Sequence, residues 1–187
     1  MANVIVSPHY DDEFIGCYSQ IIGGKIDKVI VVTDGGKQFA YIDMKPDEYK
    51  NARKLETKKF CLDNNIKNSN IVYLNFPDGG LSNTDKLSIY LKLKKNVNKS
   101  DTLFIPDMWG SHPDHFITAG LCIFMPSKHK IMYSITRRLP TPYNKRIIKI
   151  DSDKKWSDFK KYYPTQFKRL KLSNFPFRDR EEYLELS

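Results

Sequence analysis

The stretch Val4-Ile5-Val6-Ser7-Pro8-His9-Tyr10-Asp11-Asp12-Glu13-Phe14-Ile15 decides how the rest of the chain is read. An apolar run stops at Ser7-Pro8, one imidazole and three carboxylates follow, and apolar residues at helical spacing begin at once. This predicts a strand, a loop and a helix over 12–22 that ends at Gly23-Gly24. The same rhythm continues outward. A second apolar run at 29–33 stops at Asp34-Gly35-Gly36, a long charged helical pattern follows over 46–65, and a third run lies at 71–74. A helix over 86–96, a strand at 103–106, a helix over 114–124 and a strand at 131–135 carry the alternation on, and 146–150 reads as another strand. Short apolar strands alternating with helices specify an α/β fold. The expectation is a single-domain Rossmann-like sandwich with a mostly parallel central sheet, helices on both faces and ligands at the carboxyl ends of the strands.

At 187 residues the chain fits one domain, 1–187, large enough to bury a core without disulfides. Residues 156–187 contain Tyr162-Tyr163-Pro164 and Phe175-Pro176-Phe177, are rich in charge and show weak periodicity, so they read as a C-terminal helix and an ordered extension. A net charge of +9 raises the question of a polyanionic partner. The basic residues are dispersed in small clusters, such as Lys92 to Lys95 and Lys168 to Lys171, that suit solvated helix faces, so nucleic acid is not expected. Cys17, Cys61 and Cys122 have no CxxC spacing and read as small buried apolar residues. No leader pattern and no long apolar run is visible, so a cytoplasmic protein without a transmembrane segment is expected, its oligomeric state open.

The chemistry concentrates in two places. In the first loop, Asp11 or Asp12 could cap a helix and Glu13 suits a first turn, a structural reading that stays open for that loop alone. The fourth strand leads to Pro106-Asp107-Met108-Trp109-Gly110-Ser111-His112-Pro113-Asp114-His115, which also ends at a helix start and holds two of the four histidines. Two such clusters, both at predicted strand carboxyl ends, suit a divalent ion such as zinc, whose catalytic sites keep three protein ligands and an open position. His9, Asp12 and His115 would supply that set. Asp11 and His112 would then stand beside the ion, one as base and one as oxyanion donor, a division that spacing leaves open.

These residues resemble the zinc-dependent N-acetylglucosaminylphosphatidylinositol and LmbE-like (PIG-L) deacetylases, whose first motif commonly reads (A/S)HPDDE. The second motif, HPDH, stands at His112-Pro113-Asp114-His115. Further likeness runs through Thr33-Asp34-Gly35-Gly36, Arg53 with Glu56, and Phe76-Pro77-Asp78-Gly79-Gly80-Leu81, with a fainter echo at Lys155-Trp156 and Tyr163-Pro164-Thr165-Gln166. The resemblance covers roughly residues 3 to 125 and implies His9, Asp12 and His115 as ligands of Zn2+ or another divalent transition metal. It implies Asp11 as general base, His112 as donor to the oxyanion or the leaving amine, and Asp114 as the residue that orients His112 or a neighbouring ligand. Arg53 resembles a helix-borne substrate-binding arginine, the alternative being a surface arginine paired with Glu56. Asp78 would hydrogen-bond sugar hydroxyls and Asp34 would buttress the first loop, with plain turn formation as the alternative for both.

Two departures stand out: Tyr10 replaces the usual proline and removes a fixed φ angle, and Gly110 stands where several relatives carry a tyrosine. Trp109 and Tyr41 are candidates for stacking on a sugar ring. The function expected is removal of an N-acetyl group from a small amino sugar or sugar conjugate, for which the basic surface fits an anionic substrate. The alternatives are a metal-dependent hydrolase of another small N-acyl amide and a non-catalytic basic binding module.

Overall fold

The computed structural model describes residues 1–37, 42–110, 112–135, 138–139, 145–172, 175 and 178–186. In chain order these form β1 (Asn3–Ser7), α1 (Asp12–Ile22), β2 (Lys28–Thr33), α2 (Pro46–Asp63), β3 (Ile71–Phe76), α3 (Lys86–Lys94) and β4 (Thr102–Pro106). There follow α4 (Pro113–Ile123), β5 (His129–Tyr133), β6 (Lys145–Lys149), α5 (Ser152–Tyr162), α6 (Pro164–Leu172) and β7 (Arg180–Leu186). The strands form one sheet in the order β3-β2-β1-β4-β5-β7-β6. The first five run parallel, and β7 pairs antiparallel with both β5 and β6.

Alternation along the strands divides the core. Ile5, Val29, Val31 and Phe104 face a layer containing Phe14, Phe60, Phe159 and Leu170 of α1, α2, α5 and α6. Val4, Val6, Ile30, Val32, Leu103 and Ile105 face the other layer, with Ile89 and Leu93 of α3 and Cys122 of α4. Every β1, β2 and β4 side chain in these lists is buried on its own face, which is why the strands read as continuous apolar runs. Gly16 lets α1 lie tight on β5, since a Cβ there would fall 2.2 Å from the Tyr133 ring.

The chain winds from β1 out to β3 on one side and returns to β4 on the other, so the switch in winding direction falls between β1 and β4. Such a crevice at the carboxyl ends of the strands is where ligands bind in open α/β sheets. Both chemistry-bearing loops, β1–α1 and β4–α4, open there. Between Val31↔Tyr73 and Thr33↔Phe76 the strand β3 carries one extra residue, with Asn75 at φ 55°. This bulge bends the strand end that leads to Asp78.

The C-terminal part holds more regular structure than its sequence predicts. Instead of one helix and an extension it forms two helices and β7, which inserts between β5 and β6. Two acidic residues disguise that strand. Glu181 and Glu182 are buried at 2% and 1% exposure, the first paired with Lys155 and the second with Lys145 at 2.7 Å.

Candidate metal centre

The sharp turn from β1 into α1 sets the first half of the site. Asp11 precedes the helix at φ 130°, ψ −22°, a conformation rarely adopted by a residue with a side chain. A carboxylate behind it holds the turn: Glu13 accepts from the Asp11 N–H (3.2 Å), the Ser7 hydroxyl (3.0 Å), the Thr57 hydroxyl (3.1 Å) and the Tyr163 hydroxyl (2.5 Å). Thr33 adds two bonds to the Pro8 carbonyl, from its N–H at 3.0 Å and its hydroxyl at 2.8 Å.

Held in this way, the loop brings His9 and Asp12 to His115 of α4. His9 Nδ1, His115 Nε2 and Asp12 Oδ2 lie 3.1 to 3.2 Å from one another. Three lone-pair atoms in so tight a triangle repel unless protons or a cation lie among them. A tetrahedral ion with ligands at about 2.0–2.1 Å places neighbouring ligand atoms about 3.3 Å apart, so the donor set fits such an ion in type and spacing. The opposite edge of His9 supports this: Nε2 faces Asp114 Oδ2 at 3.2 Å and Asp78 Oδ1 at 3.3 Å. An N–H there fixes the tautomer that leaves Nδ1 bare, the usual carboxylate–histidine arrangement behind a metal ligand.

A second grouping of possible ligands, His9 with Asp78, His112 and Asp114, shares His9. Its carboxylates are already engaged. Asp114 accepts from Gly79 N–H at 2.7 Å and Leu81 N–H at 3.2 Å, and Asp78 pairs with Arg53 at 3.2 Å. Asp12 Oδ2 takes one such bond, from the His9 N–H at 2.9 Å, so the His9–Asp12–His115 set is the less committed of the two candidate groupings.

Asp114 thus backs His9, the neighbouring residue of the two alternatives, and is solvent-free. It reaches His112 only through its backbone: the Asp114 N–H donates to His112 Nδ1 at 3.3 Å. That bond puts the proton of neutral His112 on Nε2, making it a donor.

Asp11, Asp12, His9, His112 and His115 line a cavity of about 220 Å³, together with Arg53, Asp78, Gly110 and, from the C-terminal part, Arg169, Leu170 and Phe175. Asp11 Oδ2 is buried and accepts no hydrogen bond among the described residues; its nearest cation is Arg169 Nη2 at 3.6 Å, with Arg53 Nη2 at 3.6 Å from Oδ1. Burial raises the Asp11 pKa to about 7 against the pull of Arg53. Burial pushes His9 down, but its hydrogen bonds with Asp114 and Asp12 outweigh this and bring its pKa to about 10. Asp12 is held well below the carboxylate range, burial's upward push being overcome by His115 and His9. His112 is lowered by burial and by the two neighbouring histidines.

Arg53 is not a surface arginine. It is 4% exposed and donates to the carbonyls of Tyr10 (2.8 Å) and Gly35 (3.1 Å) as well as to Asp78. Glu56 instead accepts from the Thr165 N–H and hydroxyl at 3.0 and 2.7 Å. Asp34 supports the Asp78 loop, accepting from the Asp78 N–H at 3.1 Å and pairing with Lys50 at 2.7 Å. Tyr10, in the place of the usual proline, is buried against Tyr73. Trp109 is 40% exposed, and Tyr41 lies outside the described residues. Sequence reasoning missed Arg169, Glu13 as the hub of the turn, and Thr33. For Arg169 the nearby Tyr163 to Gln166 echo was a signal, since Gln166 accepts from Arg169 Nε at 3.0 Å.

A doubly covered, mostly parallel sheet with a histidine–carboxylate cluster across its switch point defines an α/β protein with a candidate cation site in the crevice. Residues 4–123 match the PIG-L family, described as GlcNAc-PI de-N-acetylase, and the chain belongs to that family. No curated protein sequence is significantly similar to it. Among solved structures it is similar to the N,N'-diacetylchitobiose deacetylase of Pyrococcus horikoshii in complex with an inhibitor. That match is 20% identical, covers 98% of this chain and 82% of the other, and has a TM-score of 0.67. A deacetylase of teicoplanin biosynthesis in complex with teicoplanin is 13% identical, with both chains covered in full and a TM-score of 0.67. The 4-carboxy-2-hydroxymuconate hydratase GalB of Pseudomonas putida is 12% identical, covering 99% of this chain and 95% of the other, with a TM-score of 0.66. At these identities the likeness is one of fold, and the fold serves more than one chemistry.

Proposed function

We propose that this protein is a zinc-dependent hydrolase that removes an N-acetyl group from an amino sugar or sugar conjugate. The observation that carries the reading is the convergence of His9 Nδ1, Asp12 Oδ2 and His115 Nε2 beside an Asp11 oxygen that accepts no hydrogen bond among the described residues, in one cavity. Family membership supports it.

In this reading His9, Asp12 and His115 hold the ion. A divalent ion there would polarise an amide carbonyl and lower the pKa of water from about 15.7 toward about 7. The chain's own groups do the rest. Asp11, buried and with one oxygen that accepts no hydrogen bond among the described residues, takes the proton of the attacking water. His112, fixed as a donor at Nε2, hydrogen-bonds the oxygen that gains charge as the carbonyl carbon becomes tetrahedral. Proton return to nitrogen then releases acetate and the free amine. Asp114 keeps His9 in one tautomer, and Arg53 and Asp78 present a polar edge to sugar hydroxyls. We also read 1–187 as one domain that acts in the cytoplasm on a small, anionic substrate and not on nucleic acid. Among the described residues no helix is long and apolar enough to cross a membrane.

The test is acetate release from a panel of N-acetylated sugars, sugar phosphates, nucleotide sugars and sugar lipids, with metal-stripped protein before and after zinc is restored. Release from one substrate, only with zinc, is the expected result. Silence across the panel from zinc-loaded protein would point to another amide, and no zinc uptake would return the binding-module reading to first place.

A further inference from the structure

Helix α1 is interrupted in its middle. Cys17 lies at φ −133°, ψ 21°, outside helical geometry, so α1 consists of two short pieces joined by a kink. In an unbroken helix the Ser19 N–H donates to the Ile15 carbonyl. Here the Ser19 N–H points at both carboxylate oxygens of Glu181, at 3.1 and 3.2 Å, and the Ile15 carbonyl accepts from the Lys155 ammonium at 2.6 Å. Lys155 and Glu181 meet each other at 2.9 Å. An ion pair drawn from α5 and β7 therefore occupies both ends of one helical hydrogen bond.

The charges suit these places. The carboxylate meets an N–H in the first turn of the second piece and the ammonium meets a carbonyl near the end of the first, each opposite to the partial charge it faces. Both side chains are buried, and Glu181 also accepts from the Ser19 and Tyr183 hydroxyls. A buried pair of this kind is weak evidence for stability, because desolvation offsets the attraction and an apolar replacement is often as stable.

Its position gives it another use. The first piece of α1 carries Asp12 and Ile15, both in the cavity wall, and Lys155 grips that piece at the Ile15 carbonyl. We propose that Lys155 and Glu181 are positioning residues for the cavity: by splitting the Ile15–Ser19 hydrogen bond they set the angle at which α1 presents Asp12 and Ile15. The consequence for zinc rests on the metal-site reading above.

The test is the double variant Lys155→Met/Glu181→Met, which at similar volume removes both charges and the acceptor that holds the Ser19 N–H, so that this N–H can return to Ile15. A single Lys155→Met would strand a buried carboxylate and confuse folding with positioning. The double variant is expected to melt within a few degrees of wild type, to move the Cys17 backbone carbon shifts to helical values, and to bind zinc about tenfold more weakly, the range typical of groups that orient ligands. Wild-type Cys17 shifts or wild-type zinc affinity would overturn the proposal. If that variant does not fold, Lys155→Met/Glu181→Gln decides: neither charge is left buried alone, the amide can still accept from the Ser19 and Tyr183 hydroxyls, the Ile15 carbonyl is released, its zinc affinity is expected to fall a few-fold, and unchanged affinity would overturn the proposal. Cys17 shifts measured without metal separate this inference from the proposed function, which fails on its own if wild type binds no zinc.

Discussion

His9 Nδ1 and His115 Nε2 face each other at 3.2 Å across 106 positions of sequence, each also about 3.1 to 3.2 Å from the same Asp12 oxygen. Ring nitrogens presented to one another in this way need a proton or a cation between them, and the proposed function makes it a zinc ion. His9→Ala is therefore expected to abolish both zinc binding and turnover. Asp114→Asn, which weakens the acceptor behind His9 and gives up one of the bonds from Gly79 and Leu81, is expected to weaken zinc about 10- to 100-fold. Competition with a calibrated chelator measures both, and an Asp114→Asn protein with wild-type affinity would remove Asp114 from its supporting role.

Asp11 combines a strained backbone with an oxygen that has no hydrogen-bond partner among the described residues. Strain of this type costs on the order of 1–3 kcal/mol and is retained where function requires the residue. Asp11→Asn is expected to keep zinc and lose about 10²- to 10⁴-fold in kcat, the share of a general base. Asp11→Gly, which adopts the same φ without a Cβ, is expected to melt at or above the wild-type temperature while losing turnover equally. Calorimetry beside an acetate assay reads both, and an active Asp11→Asn protein would contradict the base assignment.

Tyr163 of the C-terminal part donates to Glu13 in the first turn of α1, 150 positions away. Tyr163→Phe leaves a fully buried carboxylate one donor short and is expected to cost about 1–3 kcal/mol in urea unfolding. A loss below about 0.5 kcal/mol would mean that Ser7, Thr57 and the Asp11 N–H satisfy Glu13 without it.

Glu56 gives a pH prediction away from the cation site. Burial raises its pKa from 4.5 to about 7, partly opposed by its bonds from Thr165. The folded state then holds a proton more tightly than the unfolded chain, so this contribution is fully present below about pH 4.5 and is lost as pH rises through about 7, a decline on the order of 3 kcal/mol. Glu56→Gln, which can still accept from Thr165, is expected to flatten that decline and to be the more stable protein at pH 8. Parallel stability curves for the two proteins between pH 4.5 and 8 would show that Glu56 is not the group responsible.

The parallel core of the fold was legible because β1, β2 and β4 are buried on both faces and helices separate them with clear breaks at Gly23-Gly24 and Gly35-Gly36. Strand β7 was not, because Glu181 and Glu182 break its apolar pattern and are stabilised by Lys155 and Lys145, partners that only the folded chain supplies. Helix α2 illustrates the same limit. Its buried stripe of Tyr49, Arg53, Glu56, Thr57, Phe60 and Cys61 has perfect helical spacing, yet half of it is polar and looks like surface. The candidate residues His9, Asp11, Asp12, His112 and His115 were legible as two clusters at strand ends, and the structure brings all five to one cavity. Arg169 reaches that cavity from α6, and no spacing rule connects it to the first loop. The positive φ of Asp11 is equally silent in sequence.

The most direct measurement for the central claim is a zinc titration of metal-stripped protein, from zero to two equivalents, with acetate release from the best N-acetylated substrate followed at each step. Turnover is expected to rise in proportion to zinc up to one equivalent per chain, and a His115→Ala protein is expected neither to take up the metal nor to release acetate. Acetate release that is independent of zinc, or full activity in His115→Ala, would contradict the claim.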